Sequence, residues 1–297
     1  MVSTLARLRR HKIRPKKRLG QNFLIDDGIL EQIISLYDLR KDDLVVEVGA
    51  GLGALTTRLA TRVRKVLAIE IDKTLVDLLK DKIVKHENVE VINQNILRFD
   101  FRGVAESYGD KLKVLGNIPY NISAPLLFKL IDYKAFLSMA VLMFQEEVAN
   151  RITANPGTKD YGILSVFCQV NAAVSKELKV PRHHFYPQPK VDSAVVSFLF
   201  HETSLMKIED ERIFKKVVRA SFAQRRKTIK NALKHSLSLN IPFEDVLIAM
   251  EKSGIDPQRR GETLSLEEFR DLSSALRIKH IEYRYSSHGD IGQSGIE

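Results

Sequence analysis

A carboxamide, a proline and an aromatic ring stand together in the tetrapeptide Asn117, Ile118, Pro119 and Tyr120. The run at residues 112–115, apolar apart from Lys113, predicts a buried strand just before it, and ligands of α/β proteins bind at the carboxyl ends of such strands. Amide and backbone carbonyl oxygens accept hydrogen bonds from an exocyclic amine, while a flat ring stacks on a base. The tetrapeptide is therefore predicted to hold an adenine by its amino group. The alternative is a polar turn with a core tyrosine.

A glycine turn that begins at Gly49 follows the apolar run 44–48 and precedes a predicted helix. Strand, glycine turn and helix in this order open a nucleotide-binding unit. The spacing is G-x-G-x-G, not the G-x-G-x-x-G of dinucleotide sites, and Glu47 lies two residues ahead of the turn. A carboxylate there would repel a pyrophosphate but would accept hydrogen bonds from an ammonium group. Glu47, Gly49 and Gly51 are therefore expected to bind a ligand that carries an amino acid, such as the methionine part of S-adenosylmethionine.

Polar side chains also follow the next two predicted strands. Glu70 comes directly after the run 66–69, where a carboxylate can accept hydrogen bonds from both hydroxyls of a ribose. Asp72 is the alternative for that role, or else it caps the following helix. Asn95 follows the run 89–92 and is placed to meet the edge of an adenine.

Two further segments could close over such a ligand. Gln21 and Asn22 offer amide groups beside an apolar anchor, although they also fit an ordinary capped turn. Residues 181–189 form a loop rich in proline and aromatic residues. An aromatic ring held between prolines has little freedom to lose, so Phe185 or Tyr186 is predicted to be a stacking surface.

The order of elements predicts an α/β fold with a Rossmann-like sheet and a small all-helical C-terminal domain. The expected divisions are a basic flexible arm at 1–18, the α/β domain at 19–203, a helical domain at 204–279 and a disordered tail at 280–297. The periodicity of the apolar segment 161–174 fits a helix or a strand equally well.

The positive charge of the chain is concentrated in two runs. The formal net charge is +10 over 297 residues. Residues 1–18 carry eight Lys/Arg and residues 212–234 carry nine, with no acidic residue in either run. The two runs account for seventeen positive charges, so the remainder of the chain is net −7. Concentrated basicity favours a polyanion partner such as a nucleic acid over solvated helix faces.

Cys168 is the single cysteine and lies in an apolar run, which is typical of a buried thiol in a reducing compartment such as the cytoplasm. No apolar run reaches the ~18 residues that a membrane span needs. His183 and His184 are adjacent in a loop without a third ligand, so no metal site is expected.

Taken in order, these motifs resemble the small-subunit ribosomal RNA adenine dimethyltransferase family. The matching stretches are KKRLGQNFL, VVEVGAGLGALT, NIPYNIS, PGTKDYGILSV, FYPQPKVDSAVV and RRKTIKNAL. The resemblance implies a class I methyltransferase sheet and S-adenosylmethionine as the methyl donor. It implies methylation of N6 of two adjacent adenosines near the 3′ end of small-subunit rRNA, giving N6,N6-dimethyladenosine, and a role in maturation of that subunit. A monomer acting on the RNA or on a precursor particle is expected, without a membrane or a metal.

The resemblance also implies roles for individual residues. The donor would contact Gln21, Asn22, Leu24, Gly49, Glu70, Asn95 and Asn117. Asn117, Tyr120 and Phe185 would hold the target base, with Pro119 stiffening the turn. The RNA backbone would meet basic residues of the two runs, namely Lys16, Lys17, Arg18, Arg225, Arg226 and Lys227. The chain departs from the family at Asn95, where Asp is usual.

Three alternatives remain open at this point. Erythromycin-resistance-type methyltransferases of large-subunit rRNA share the Asn-Ile-Pro-Tyr and Phe-x-Pro elements. A ribosome-assembly factor could keep the fold and act mainly by binding. A nicotinamide oxidoreductase is disfavoured by the glycine spacing and by Glu47. The sequence does not distinguish mono- from dimethylation, because the volume of the pocket decides it.

Overall fold

The computed structural model describes residues 4–36, 38–200, 208–236, 239 and 241–286, with side chains described up to residue 277. The chain divides into two compact units. The first comprises Met1–Thr153 and Asn171–Glu202, and the second comprises Ala154–Val170 and Thr203–Glu297.

The first unit is organised around a β-sheet. Its strands are β1 (Phe23–Leu24), β2 (Leu44–Val48), β3 (Lys65–Glu70), β4 (Val89–Asn93), β5 (Leu112–Asn117), β6 (Leu137–Gln145), β7 (Ala172–Val180), β8 (Phe185–Tyr186) and β9 (Ser193–Phe200). Seven of them form one sheet in the order β4-β3-β2-β5-β6-β9-β7, and β1 pairs with β8 in a separate ladder. Five neighbouring strands of this sheet, β4, β3, β2, β5 and β6, run parallel. The remaining two, β9 and β7, are antiparallel to their neighbours. Every residue of β2 is buried, as expected for a central strand of a parallel sheet.

The helices of the first unit lie before, between and after the parallel strands. They are α1 (Thr4–Arg10), α2 (Asp27–Ser35), α3 (Thr56–Leu59), α4 (Lys73–Ile83), α5 (Phe101–Tyr108), α6 (Ser123–Asp132) and α7 (Glu146–Thr153). Aspartates start three of them, because the side chain of each accepts an amide hydrogen that the first turn leaves unpaired. Asp26 caps α2, Asp72 caps α4 and Asp100 caps α5.

The second unit is helical. It contains α8 (Ile163–Asn171, except the last residue), α9 (Glu211–Ala223), α10 (Ile229–Lys234), α11 (Phe243–Lys252) and α12 (Leu266–Ser286). Phe222 lies 5.9 Å, centroid to centroid, from both Tyr161 and Phe269, so aromatic rings form part of its core. A capping box starts α12, since the Ser265 N–H donates to Glu268 (2.7 Å) and the Glu268 N–H donates to Ser265 Oγ (3.2 Å).

The predicted α/β class with a helical C-terminal part is confirmed. The ambiguous segment 161–174 resolves into α8 followed by β7. One boundary differs, because residues 154–170 cluster with the C-terminal helices and not with the sheet. Within the described residues, no helix is long and apolar enough to cross a membrane.

Both expected flexible ends differ from the structure. Residues 4–10 of the expected arm form α1, and Leu8 is buried in a cluster with Leu52 and Leu75. This apolar contact gives the basic segment a fixed site on the first unit. At the other end, α12 continues to Ser286, past the expected start of the tail at residue 280. The rest of the expected tail, 287–297, lies outside the described residues.

Candidate active site

A cavity of about 260 Å³ lies at the carboxyl ends of β2, β3 and β5. We call it the central cavity. The predicted site residues that line it are Gln21, Asn22, Leu24, Glu47, Gly49, Gly51, Glu70, Asn95, Asn117, Pro119 and Tyr120. The structure therefore brings together every predicted donor-binding residue, and all of the predicted base-binding residues except Phe185.

The glycine turn is held to the side chain of Glu70 by a backbone hydrogen bond. Gly51 has a φ of +57°, a conformation that favours glycine, and its N–H donates to Glu70 Oε2 at 2.9 Å. The N–H of Asp72 donates to Glu70 Oε1 at 2.9 Å. Burial raises the pKa of Glu70, and the two backbone hydrogen bonds oppose that shift. Each carboxylate oxygen keeps a second lone pair, so Glu70 remains able to accept two hydroxyl groups.

Glu47 is 2% exposed and has a partner within the protein. The hydroxyl of Thr56 donates to Glu47 Oε2 at 2.6 Å. Burial raises the pKa of Glu47 from its usual value of 4.5 to about 8. A cation that enters the cavity would favour the ionised carboxylate, because the opposite charge offsets the cost of burial.

Asn95 uses its side-chain oxygen locally. Asn95 Oδ1 accepts the N–H of Leu97 at 3.0 Å and so caps the short 3₁₀ helix Ile96–Arg98. An aspartate at this position would make the same cap with one oxygen and keep a second acceptor. Asn95 instead has an N–H₂ group there, which is a donor.

The N-terminal segment is attached to this part of the sheet through Asp72. Lys16 Nζ and Gln21 Nε2 donate to the two oxygens of Asp72, at 2.6 and 2.9 Å. Gln21 Oε1 also accepts the backbone N–H of Lys16 at 2.8 Å. Burial alone would raise the pKa of Asp72, but the bonds from Lys16 and Gln21 hold it below its usual value. Asp72 thus acts as a helix cap and an anchor, which agrees with the second role predicted for it.

The amide of Asn117 has a fixed orientation. Its Nδ2 donates to the backbone carbonyl oxygen of Asn22 at 2.8 Å. A carbonyl oxygen only accepts, so the nitrogen of the amide must face Asn22 and the Oδ1 atom is the acceptor left over. The backbone N–H of Ile118 donates to the carbonyl oxygen of Met143 in β6 at 3.1 Å, which fixes the following peptide as well.

Tyr120 lies at the start of a 3₁₀ turn, Tyr120–Ile122, directly after Pro119. Its hydroxyl is 3.0 Å from the hydroxyl of Ser193, the first residue of β9. Burial raises the pKa of Tyr120, and the hydrogen bond to Ser193 opposes that shift. The phenol is therefore neutral near pH 7, and the ring is held at both ends.

Phe185 lies outside the central cavity in this structure. Its side chain is 3% exposed and belongs to the same core cluster as Leu24 and Met143. In the β1–β8 ladder Phe185 is opposite Leu24, which does line the cavity. Tyr186, the other candidate for stacking, is 43% exposed. The stacking role of Phe185 stays a prediction.

The six basic residues predicted to contact RNA fall into two groups. Lys16 forms the ion pair with Asp72, and Arg225 binds Glu262 (2.9 Å) and the carbonyl oxygen of Lys159 (2.8 Å). Both of these side chains have a structural role here. Lys17, Arg18, Arg226 and Lys227 are exposed, and Arg225 is exposed as well despite its contacts.

Two relevant contacts were not predicted from the sequence. Lys82 Nζ donates to the carbonyl oxygens of Leu52 and Gly53, at 2.9 and 2.5 Å, and so supports the glycine turn from α4. His184 Nδ1 lies 2.9 Å from Asp26 Oδ2, which links the loop before β8 to the segment after β1. Both pairs are far apart in sequence, and neither has a local sequence signal.

Comparisons with known proteins agree with this geometry. A sequence profile described as "Ribosomal RNA adenine dimethylase" matches residues 12–277. The chain is 45% identical over 270 residues to ribosomal RNA small subunit methyltransferase A of Geobacter metallireducens, covering 91% of this chain and 98% of that protein. It is 44% identical over 266 residues to the protein of the same name from Bacillus mycoides, covering 88% and 91%.

Solved structures show the same architecture. A dimethyladenosine transferase from Plasmodium falciparum superposes with a TM-score of 0.76 at 30% identity, covering 87% of this chain and 98% of that one. The 23S rRNA methyltransferase ErmE superposes with a TM-score of 0.66 at 27% identity, covering 86% and 99%.

Proposed function

Because the chain belongs to the ribosomal RNA adenine dimethylase family, we propose that it methylates N6 of two adjacent adenosines near the 3′ end of small-subunit rRNA. The product is N6,N6-dimethyladenosine, and the reaction is a step in the maturation of the small subunit. The relatives at 44–45% identity are named for the small subunit, which supports this substrate over the one named for ErmE.

The fixed amide of Asn117 carries the proposal. The amino group of adenine is a poor nucleophile, because its lone pair is delocalised into the ring. Acceptors that bind its two N–H groups draw the nitrogen towards a tetrahedral geometry and return electron density to it. Asn117 Oδ1, with Asn117 Nδ2 bound to Asn22, is oriented as one such acceptor. The carbonyl oxygen of Ile118 is the second acceptor in this proposal.

The central cavity fits S-adenosylmethionine, the methyl donor of the family. Glu70 would accept hydrogen bonds from the ribose hydroxyls, and Glu47 would face the ammonium end of the ligand. The positive φ values of Gly49 and Gly51 let the backbone turn without side chains beside the ligand. When bound, S-adenosylmethionine supplies a methyl group made electrophilic by its sulfonium sulfur.

The protein groups position and polarise the amine. Asn117 is neutral and cannot act as a strong base, so the proton of the methylated amine leaves to solvent after transfer. The main contribution of the site is therefore alignment of the amine with the methyl carbon. Tyr120 would stack on the adenine, and its π face would steady the positive charge that develops on the amine. Phe185 would form the opposite wall.

The amino group is out of reach inside a stacked helix, so the target base must be single-stranded or flipped. The exposed side chains of Lys17, Arg18, Arg226 and Lys227 are proposed to hold the RNA backbone. In this proposal the helical domain binds RNA, the enzyme acts as a monomer on a precursor of the small subunit, and the reaction takes place in the cytoplasm.

Mass analysis of rRNA nucleosides tests the proposed function. Small subunits that lack the modification are incubated with the protein and S-adenosylmethionine, with isolated large subunits as the second substrate. Dimethyladenosine in the small-subunit rRNA is the expected result. Methylation of the large-subunit rRNA alone would support the second candidate, a resistance-type enzyme, which is considered because the chain also resembles ErmE. Binding without methylation of either would indicate an assembly factor.

A further inference from the structure

Ser193 is the partner of Tyr120, although 73 residues separate them in sequence. Their hydroxyl oxygens are 3.0 Å apart. Ser193 is completely buried, whereas the ring of Tyr120 lines the central cavity. The hydroxyl at the far end of the cavity-lining ring is thus attached to the protein interior.

The position of Ser193 is itself well fixed. In the sheet it is opposite Gln145 of β6 on one side and Val180 of β7 on the other. The preceding residue, Asp192, accepts the N–H of Glu146 with its carbonyl oxygen (3.0 Å) and the N–H of Arg182 with its carboxylate (3.0 Å). Because the strand and its entrance are both held, Ser193 Oγ is a rigid anchor.

A rigid anchor at the hydroxyl matters for an aromatic ring that stacks on a base. The side chain of a tyrosine has two soft torsions, and the backbone of the turn fixes neither of them. A hydrogen bond at the phenol oxygen fixes the end of the ring furthest from the backbone and so restrains the torsion about Cα–Cβ. The oxygen lies on the axis of the second torsion, so the bond restrains that one only through the preference of the phenol O–H for the plane of the ring. In a buried setting such a bond is retained, since an unpaired hydroxyl there is unfavourable.

We propose that Ser193 is a positioning residue for methyl transfer, and that its hydroxyl fixes the position of the Tyr120 ring beside the target adenine. This rests on the proposed function, in which Tyr120 stacks on the base. Ser193 does not touch the adenine. It acts through Tyr120 by narrowing the range of ring orientations, so that the amine is aligned more often.

Removal of the hydrogen bond between Ser193 and Tyr120 is expected to reduce kcat and to leave the affinity for the methyl donor unchanged. Loss of one ordinary hydrogen bond corresponds to roughly a fivefold to tenfold effect. S193A is therefore expected to lower kcat about fivefold to tenfold, with the Kd for S-adenosylmethionine within error of the wild-type value. Y120F keeps the ring and loses the same bond, so its kcat should fall by a similar factor.

A double-mutant cycle tests the proposal with the full-length enzyme and unmodified small subunits. If Ser193 acts through Tyr120, the S193A/Y120F variant is no slower than Y120F alone. S197A is the matched control, since Ser197 lies on the same strand and its hydroxyl donates to Glu177; its kcat should be that of the wild type. If S193A lowers the melting temperature, S193C replaces it, because the thiol keeps the volume and donates weakly.

The outcomes separate failure of the inference about Ser193 from failure of the proposed role of Tyr120. Independent, multiplicative losses in S193A and Y120F would overturn the inference, as would full activity of S193A where Y120A is inactive. Full activity of Y120A would overturn the proposed role of Tyr120 at the base, and with it the premise of the inference. Non-additive losses with unchanged donor affinity support it.

Discussion

The side-chain nitrogen of Asn117 lies 2.8 Å from the backbone carbonyl oxygen of Asn22. This contact joins the carboxyl end of β5 to the segment that carries β1, so one hydrogen bond both orients the amide and closes one side of the central cavity. The orientation is a consequence of chemistry, since only the nitrogen of the amide can donate to a carbonyl.

Replacement of Asn117 by Asp is expected to abolish this arrangement with little change in volume. A carboxylate cannot donate to the Asn22 carbonyl, and the two oxygens repel each other. Methylation of small-subunit rRNA should fall by at least ~100-fold, the usual loss for a displaced polar group at a reacting centre. Nucleoside mass analysis measures it, with Asn150→Asp on α7 as the control for added charge. Turnover of Asn117→Asp close to that of the wild type would contradict the assigned role.

Asn95→Asp is expected to tighten binding of S-adenosylmethionine severalfold. One carboxylate oxygen would keep the cap on the Leu97 N–H, and the other would replace a donor with a charged acceptor for the adenine amino group. Isothermal titration calorimetry gives the Kd directly. Gln94→Glu adds the same charge one residue away, so an equal gain there would mean that general electrostatics is responsible. Equal or weaker binding by Asn95→Asp would refute the prediction.

Phe185→Leu and Tyr186→Leu separate the two candidates for the second aromatic wall. Leucine keeps apolar volume in the core at position 185, so folding should tolerate it. If Phe185 reaches the base, loss of its ring removes a stacking contact of ~1–3 kcal/mol and lowers kcat by about fivefold or more. Tyr186→Leu should change only the KM for RNA. The reverse pattern, with only Tyr186→Leu losing kcat, would assign the wall to Tyr186.

Local patterns predicted the elements but not the contacts between distant segments. The run 44–48 was correctly predicted as a buried strand, because a short apolar run followed by glycines leaves few alternatives. The pairing of Asn22 with Asn117 joins residues 95 positions apart, and no local pattern encodes it. Counting charges likewise could not distinguish Lys16, paired with Asp72, from its exposed neighbours. Burial of Phe185 escaped prediction because the composition of a loop does not fix which of two adjacent rings faces the core.

The stability of the protein should depend on pH through Glu47. Its pKa is about 8 in the folded state against 4.5 ordinarily, so between these values the folded state binds a proton that the unfolded state lacks. The free energy of unfolding should therefore fall as the pH rises from about 4.5 to about 8, and this contribution should be constant above that.

Glu47→Gln removes the titrating group and keeps an acceptor for Thr56. Urea titrations at several pH values give the free energies of unfolding of the wild type and of Glu47→Gln. As the pH rises to about 8, the free energy of unfolding of the wild type should fall relative to that of the variant. Glu87→Gln changes an exposed carboxylate on the same unit and serves as the control. A pH-independent difference for Glu47→Gln would show that the carboxylate is ionised throughout.

The three adjacent basic residues at 16–18 should separate into one that supports the donor site and two that bind RNA. Lys17 and Arg18 are exposed, whereas Lys16 is held by Asp72 together with Gln21. The double variant Lys17→Gln/Arg18→Gln should weaken RNA binding and flatten the dependence of log K on log salt by ~1.4, the value for two phosphate contacts on a single strand. Lys16→Gln should leave that slope unchanged and instead raise the Kd for S-adenosylmethionine, because the anchor that holds Gln21 at the cavity is lost. Filter binding over a range of salt concentrations and calorimetry measure the two effects. An unchanged slope in the double variant, or a flattened one in Lys16→Gln, would show that the division between the anchor and the exposed cations is wrong.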